Sequence, residues 1–186
     1  MELHNTIEHT GRILHLDGDR RYSDKALRQY KKLGLNAVVK NIMESRQPQI
    51  VIPLLQKYQP DILIITGHDS MIRNGRNYLD LYNYRNSKYF VNSVINARKW
   101  QNSSDRLVIF AGACQSFYEA IMEAGADFAS SPARILIDFI DPIIVANKIA
   151  KTDRRIYISA KEISNLIKEG EKRISGIGVK GKKYLQ

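Results

Sequence analysis

Hydrophobic and polar positions follow two periods along the chain. Short continuous apolar runs, as in residues 61–67 and 106–112, are typical of parallel strands that are buried on both faces. Stretches with an apolar residue every three or four positions, as in 23–34 and 87–100, predict helices. The two kinds of segment alternate, which predicts a sheet with helical connections.

The alternation recurs at least five times. Predicted strands lie within residues 12–19, 36–41, 61–67, 106–112, 126–131 and 155–159. Predicted helices cover residues 23–34, 47–59, 87–100, 116–125, 141–151 and 159–170. We predict one α/β domain over residues 1–186, a three-layer sandwich whose mostly parallel sheet carries helices on both faces.

Capping residues mark several helix ends. Ser23 or Asp24 is expected to cap the first helix, and Gly34 to end it. Asp141 is expected to cap a later helix whose first residue is Pro142.

The last predicted helix has the sequence signals of both ends. Ser159 and Glu162 have the spacing of a capping box. Gly170 is expected to end this helix.

Composition adds a charge asymmetry. Lys and Arg number 29 and Asp and Glu 19, a net charge of +10. Residues 148–183 contain 11 basic and 4 acidic residues, and we expect 171–186 to form a basic, flexible tail. A solvated basic face is favoured over a nucleic-acid site, because the tail lacks interleaved aromatic residues for base stacking.

Three other sequence features bear on the cellular compartment in which the protein works. No window approaches the roughly 18 continuous apolar residues that a membrane span needs. The N-terminal residues contain no apolar signal core, so we expect no secretion by a signal peptide. The single cysteine cannot form an internal disulfide, which fits a reducing compartment.

That cysteine, Cys114, follows the apolar run of residues 106–112, and His68 follows the run of residues 61–67. Sites in parallel α/β sheets lie beyond the carboxyl ends of the strands. If these two strands are neighbours, the thiol and the imidazole emerge at one edge, which is the pair that a cysteine hydrolase needs. The alternatives are a small buried core cysteine and a surface histidine.

The turn around the cysteine favours a reactive thiol. Ser116 and Glu119 have the spacing of a capping box, which predicts a helix from Ser116 and places Cys114 beside its positive end. Ala113 and the glycine before it leave the approach open. A backbone N–H of this turn is expected to serve as an oxyanion donor.

Six sequence blocks extend this hypothesis: LHLDGD (14–19), ITGHD (65–69), NYRNSKYF (83–90), IFAGACQSFYEA (109–120), AGADFASSP (124–132) and DPI (141–143). In this order they resemble the YabG family, the sporulation-specific proteases of endospore-forming Firmicutes. The resemblance implies a cysteine endopeptidase with Cys114 as nucleophile and His68 as the catalytic histidine. It also implies cleavage after arginine of spore coat and related spore proteins, in the mother cell cytoplasm and the spore coat region.

The layout also resembles the wider caspase, gingipain and clostripain group, which implies a caspase-like fold. That group usually has glycine directly after the histidine, where this chain has Asp69, with Gly67 before it. Backbone support for the oxyanion is therefore expected from Gly67, Asp69 and Ala113. Some arginine- or asparagine-specific members carry an acid two residues before the cysteine, where this chain has Gly112. The resemblance also implies an additional N-terminal region, which we expect to be absent from this sequence.

An arginine pocket needs a carboxylate that binds the guanidinium through two parallel hydrogen bonds. The acids near strand ends are Asp69, Asp80, Asp127, Asp138 and Asp141. We favour Asp138, which follows a short apolar run. Asp69 is the candidate that could instead orient His68.

No metal or cofactor site is predicted. Asp17 and Asp19 could hold Mg²⁺ or Ca²⁺ at a strand end, but a polar turn around Gly18 explains them as well.

Two other functions fit parts of the sequence, a cysteine-dependent amidase or amidotransferase on a similar scaffold and a non-enzymatic basic binding module. An arginine-specific protease is also expected to cleave itself at Arg20–Arg21 or Arg154–Arg155.

Overall fold

The computed structural model describes residues 8–72 and 77–185. Its strands are β1 (Glu8–His9), β2 (Ile13–Asp17), β3 (Ala37–Asn41), β4 (Ile62–Thr66), β5 (Val108–Ala111), β6 (Phe128–Ser130), β7 (Tyr157–Ile158), β8 (Ile174–Gly176), β9 (Val179–Lys180) and β10 (Tyr184–Leu185). Its α-helices are α1 (Arg20–Lys32), α2 (Gln47–Tyr58), α3 (Ser87–Trp100), α4 (Tyr118–Glu123), α5 (Ile140–Lys151) and α6 (Ala160–Ser164).

Six strands form the central sheet in the order β3-β2-β4-β5-β6-β8. The first five run parallel, and β8 pairs antiparallel to β6 at the edge. The predicted mostly parallel α/β sheet is confirmed. Its strand order places β4 between β2 and β5, which brings the carboxyl ends of these three strands together.

Helices cover both faces of the sheet. Residues of β4 alternate between the faces: Ile62 and Ile64 pack with α1 and α5, whereas Leu63 and Ile65 pack with α2 and α3. All four side chains are buried, as the continuous apolar run predicted. The three-layer arrangement is therefore confirmed.

The first helix begins earlier than predicted. Asp19 is its N-cap and accepts a hydrogen bond from the N–H of Arg21, so neither Ser23 nor Asp24 caps it. Ser23 is instead buried inside the helix, where its hydroxyl donates to the carbonyl of Asp19. Gly34 follows the helix with φ of +68°, as expected of a residue that ends one.

Two later helix ends also differ from the prediction. Helix α5 begins at Ile140, and Asp141 lies in its first turn with a buried side chain instead of capping it. The capping box of Ser159 and Glu162 is confirmed, but α6 ends at Ser164, before Gly170. Gly170 instead begins a short 3-10 turn, so the helix-ending role assigned to it is wrong.

The C-terminal segment does not extend away from the sheet. Strand β8 is the sixth strand of the central sheet, β9 pairs with β7, and β10 pairs with β1. Lys182 is buried, and its ammonium donates to the carbonyls of Ser104 and Asp105. The described part of 171–186 therefore differs from the expected flexible tail.

The N-terminal residues without an apolar signal core lie partly outside the described residues, since residues 1–7 are not described. Residues 73–76, between β4 and α3 in the chain, are not described either. Within the described ranges, no helix has the length and apolar character needed to cross a lipid bilayer.

Candidate active site

His68 and Cys114 emerge at the same edge of the sheet. Strands β4 and β5 are adjacent and parallel, with Ile65 level with Ala111, so the two loops leave the sheet side by side. Both residues line one cavity of about 90 Å³ at the carboxyl ends of the strands. The adjacency of the two strands, on which the hydrolase hypothesis depends, is confirmed.

Cys114 belongs to the wall of this cavity. It is partly exposed and lies outside both hydrophobic core clusters. Its Sγ accepts a hydrogen bond from the N–H of Ile137 at 3.4 Å and lies 3.6 Å from the carbonyl oxygen of the same residue. The thiol is accessible to a molecule in the cavity, unlike the thiol of a core cysteine.

The helix predicted after Cys114 is present, but its predicted start at Ser116 is wrong. The hydroxyl of Ser116 accepts from the N–H of Ala113 and donates to Asp69, so it does not cap a helix. Helix α4 begins at Tyr118, four residues after Cys114, and is only 6 residues long. The structure therefore gives no support to activation of the thiol by a helix terminus, and the N–H of Ile137 is the donor that reaches Sγ.

His68 has a carboxylate partner that the sequence analysis did not assign. Nε2 of His68 lies 2.8 Å from Oδ2 of Asp19, at the turn between β2 and α1. The hydrogen bond with His68, together with those from Arg21, holds the pKa of Asp19 well below its usual range. Asp19 belongs to the motif LHLDGD, whose sequence pattern indicates only a metal ligand or a turn residue.

A buried carboxylate fixes the backbone of His68. Glu44, in the turn after β3, accepts the N–H of His68 at 2.7 Å. A Cβ at Gly18 or Gly67 would come within 2.3 Å of the Glu44 side chain. A side chain at either position would therefore displace the Glu44 carboxylate from its place beside the N–H of His68.

Asp69 joins the histidine loop to the cysteine loop. Its buried carboxylate accepts hydrogen bonds from the hydroxyls of Ser87 and Ser116 and from the N–H groups of Ser70 and Asn86. Burial raises the pKa of Asp69, and these donors oppose the rise. Asp69 does not bond to the His68 ring and does not line the cavity. Any effect of Asp69 on the orientation of His68 therefore acts through the backbone of the loop and not through a bond to the ring.

Asp138 and Asp141 are both candidates for the acid of the arginine pocket, but their surroundings differ. Asp138 lines the cavity and is exposed, and within the described ranges its carboxylate accepts only the N–H of Ile140, at 3.2 Å. Asp141 is 2% exposed and accepts from the N–H of Asp138 and from Arg173. Burial raises the pKa of Asp141.

The remaining acids lie elsewhere. Asp127 precedes β6 at the amino edge of the sheet and is buried in an ion pair with Arg98. Asp80 accepts the N–H of Tyr82 at the start of a short 3-10 turn. Neither lines the cavity.

The backbone donors divide into occupied and available groups. The N–H of Ala113 donates to Ser116, so the oxyanion support expected from Ala113 does not hold for its own N–H. Gly67 and Cys114 both line the cavity, and no acceptor among the described residues takes the N–H of either one.

Gly112 leaves no room for a side chain two residues before the cysteine. Its φ is +113°, and a Cβ there would lie 2.4 Å from Oγ of Ser130, which donates to the carbonyl of Ala113. A pocket acid at this position, as in some relatives of the caspase group, is sterically excluded. Any acid of this cavity must come from another element.

Residues 8–72 and 77–185 contain no group of three or more His, Cys, Asp or Glu side chains that could hold a metal ion. Asp17 and Asp19 are hydrogen-bonded within the turn that joins β2 to α1, where Oδ1 of Asp17 accepts the N–H of Asp19 at 2.7 Å.

Comparison with known proteins gives a consistent family assignment. A family model described as YabG peptidase U57 matches residues 2–185. The chain is 43% identical over 171 residues to the sporulation-specific protease YabG of Bacillus subtilis (strain 168). This alignment covers 92% of the chain and 59% of that relative, so the chain spans less than two thirds of the relative's length. Since the family model covers nearly every residue, including the cavity with His68 and Cys114, the chain belongs to the YabG peptidase family.

Proposed function

We propose that the chain is a cysteine endopeptidase in which Cys114 is the nucleophile and His68 the general acid and base. The observation that carries the proposal is their common cavity at the carboxyl edge of two adjacent parallel strands. A nucleophile and a base at such an edge form the usual arrangement of thiol hydrolases. Because the chain belongs to a family described as a peptidase family, we take the peptide bond as the bond that is cleaved.

The reaction begins with proton transfer from Cys114 to His68. The thiolate attacks the carbonyl carbon of the substrate, and the imidazolium donates its proton to the leaving amine as the C–N bond breaks. A water molecule then gives a proton to the imidazole and attacks the thioester. The acid product leaves, and the proton returns to the sulfur.

Asp19 acts as the positioning residue of this pair. Its carboxylate is bonded to Nε2 of His68, so Nδ1 is the ring nitrogen left to exchange a proton with Cys114. A carboxylate in this position also stabilises the imidazolium that forms during the attack. The assignment extends the predicted dyad to a Cys114–His68–Asp19 triad.

The negative charge that develops on the carbonyl oxygen needs fixed donors. The N–H groups of Gly67 and Cys114 are directed to no acceptor among the described residues, and both residues line the cavity. We assign the oxyanion hole to these two groups. Asp69 supports it indirectly, because its hydrogen bonds hold the histidine loop against the cysteine loop.

Cleavage after arginine is the specificity that the surroundings of the acids support. Among the candidates for a pocket acid, Asp69 and Asp141 are buried and their carboxylates are occupied by protein donors. Asp138 is exposed at the cavity and has most of its acceptor capacity free. A guanidinium can bond such a carboxylate through two N–H groups.

The substrates are proposed from the relative's name and from the resemblance in the sequence. A sporulation-specific protease of a spore-forming bacterium acts during sporulation, and we propose spore coat and related spore proteins as its substrates. The enzyme then works in the cytoplasm of the mother cell and at the spore coat region.

A labelling experiment tests the proposal directly. Wild type, His68→Ala and Cys114→Ala are incubated with a peptide chloromethylketone ending in arginine, and the intact proteins are weighed. We expect one adduct on wild type, located on Cys114 by peptide mapping, and strongly slowed labelling of His68→Ala. Asp105→Asn, an exposed acid at the opposite edge of the sheet, is the matched control.

Two results would contradict the proposal. One is a wild-type protein that stays unlabelled while folded and reacts only after denaturation, because Cys114 would then be a packing residue. The other is labelling of His68→Ala at the wild-type rate, since His68 would then play no part in activating the thiol.

A further inference from the structure

We infer that Asp17 forms the floor of the pocket that receives the basic side chain before the cleaved bond, opposite Asp138 at the rim. This inference rests on the proposed function and adds a specificity-determining residue to it.

Asp17 is placed by the sheet at the same edge as the reacting groups. It is the last residue of β2 and is level with Thr66, the last residue of the adjacent strand β4. It lines the cavity together with His68 and Cys114, although only 6% of its surface is exposed. A carboxylate in this position faces a bound ligand from the floor of the cavity.

A chain of buried hydrogen bonds ends at Asp17. The hydroxyl of Tyr30 lies 2.9 Å from Nδ1 of His15, and Nε2 of His15 lies 2.7 Å from Oγ1 of Thr66. Oγ1 of Thr66 lies 2.7 Å from Oδ2 of Asp17 and 3.3 Å from the carbonyl oxygen of Leu16. The shorter contact indicates that Thr66 gives its single proton to Asp17.

The position of the Thr66 proton fixes the direction of the other hydrogen bonds in this series. Because the proton of Thr66 goes to Asp17, Oγ1 must accept from Nε2–H of His15. Neutral His15 then accepts at Nδ1 from the hydroxyl of Tyr30. Three groups that carry no net charge are thus polarised toward one carboxylate, as expected of a site that is kept anionic.

The electrostatics agree with an anion that has no Lys or Arg partner among the described residues, where His68 is the one cationic influence on its pKa. Burial lowers the pKa of His15 to about 3, so this ring stays neutral although it lies 3.9 Å from Asp17. Burial also raises the pKa of Asp17, and the bonds from Thr66 and from the N–H of Asp19 oppose that rise. Over the described ranges, no Lys or Arg lies within ion-pair distance of Asp17.

A guanidinium would supply the positive charge and the hydrogen-bond donors that Asp17 lacks. A carboxylate has about four acceptor positions, and Thr66 and Asp19 occupy two of them at Asp17. The planar guanidinium has five N–H donors, enough to contact Asp17 at the floor and Asp138 at the rim together. An entering cation would also relieve the cost of an unpaired buried carboxylate.

The cavity wall suits a flat cation as well. Tyr22 and Phe139 line the cavity and are stacked with ring centroids 6.2 Å apart. Lys25, which does not line the cavity, already places its ammonium 5.5 Å from each of these centroids. Aromatic faces that bind an ammonium also bind a guanidinium, through the same attraction between a cation and a ring.

The test compares arginine with citrulline, its neutral isostere. Alkylation rates of Cys114 are measured with two peptide epoxides that differ only in this residue, and the arginine-to-citrulline ratio is taken for each protein. The ratio removes any change in the reactivity of the thiol itself. We expect Asp17→Asn to lower the ratio roughly 10- to 100-fold, as the loss of a charged hydrogen-bond partner does.

Two further variants make the result specific. Asp105→Asn, which changes an exposed acid at the other edge of the sheet, should keep the wild-type ratio. Thr66→Val keeps Asp17 but removes its hydroxyl donor, and should lower the ratio by a smaller factor. Thermal unfolding is recorded for all proteins, and Thr66→Val carries the test if Asp17→Asn does not fold.

The two proposals fail in different ways. Wild type that reacts with neither epoxide contradicts the cysteine peptidase. Wild type that prefers arginine, while folded Asp17→Asn or Thr66→Val keeps the full preference, contradicts the assignment of Asp17 alone. A preference lost only in Asp138→Asn would place the whole pocket at the rim and overturn the inference.

Discussion

Asp19 and His68 are 49 residues apart in the chain, yet Oδ2 of one lies 2.8 Å from Nε2 of the other. The contact exists because β2 and β4 are neighbours in the sheet and both end at its carboxyl edge. Asp19 also caps α1 through its other oxygen, which accepts the N–H of Arg21. One side chain thus fixes both the start of a helix and the orientation of the proposed general base.

The first prediction concerns catalysis by Asp19→Asn. Asparagine is as good an N-cap as aspartate, so α1 should remain intact, but the charge beside the imidazole is lost. We expect kcat to fall by up to roughly 10²-fold, the lower end of what general acid–base catalysis contributes, with little change in KM. The measurement is steady-state cleavage of an arginine peptide, with exposed Asp24→Asn of the same helix as control. A wild-type kcat in Asp19→Asn would remove this residue from the mechanism.

The second prediction concerns acid stability and His15. Burial lowers its pKa to about 3, against about 6.5 in an unfolded chain. Below about pH 6.5 the unfolded chain therefore binds a proton that the folded protein excludes, and the free energy of unfolding falls as the pH falls. Between about pH 6.5 and pH 5 the loss should be about 2 kcal/mol.

Replacing this histidine should remove that part of the pH dependence. Denaturant unfolding of wild type and His15→Gln is measured at intervals from pH 7 to pH 5. We expect a flatter pH dependence for His15→Gln, whatever its stability at pH 7. Parallel curves for wild type and His15→Gln would show that the buried ring is protonated in the folded state.

The third prediction concerns the link between the two loops. Asp69→Asn keeps the shape of the side chain but places an amide among donors, where Ser87 and Ser116 now give their protons to a carboxylate. We expect a loss of roughly 1–3 kcal/mol in the free energy of unfolding, since buried donors lose their acceptor. Denaturant unfolding checks this, with Asp105→Asn expected to remain near wild type. If Asp69→Asn were as stable as wild type, these bonds would not hold the loops together.

The parts of the fold that sequence reasoning reached depend on local patterns. The continuous apolar runs of 61–67 and 106–112 identify β4 and β5, because a parallel strand covered on both faces must be apolar throughout. The placement of His68 and Cys114 at one edge then needs only that these strands be neighbours, which the structure confirms.

The parts that sequence reasoning missed depend on contacts between distant residues. Ser116 has the spacing of a capping residue, but its hydroxyl is bound to Asp69, 47 positions earlier, and α4 begins two residues later than predicted. Asp19 has no local signal as a partner of His68, since their contact requires the strand order of the sheet. Glu44 is likewise recognised only once β3 and β4 are in place.

The last prediction concerns self-cleavage, for which the structure separates the two arginine pairs. Arg20 and Arg21 lie in the first turn of α1, whose backbone is held by the Asp19 cap. Arg154 and Arg155 lie in an exposed turn between α5 and β7, followed by the exposed side chains of Ile156 and Tyr157. A protease binds its substrate in an extended form, so the turn should be cut in preference to the helix.

We expect wild type to accumulate fragments cut after Arg154 or Arg155, and Cys114→Ala to remain intact under the same conditions. Intact mass spectrometry over time locates the cut, and mixing the two proteins shows whether one molecule cleaves another. A double variant, Arg154→Gln with Arg155→Gln, should keep wild-type peptidase activity and lose these fragments. The same fragments in Cys114→Ala alone would assign the cut to a contaminating protease, and cleavage at Arg20 or Arg21 would show that α1 opens more readily than the turn.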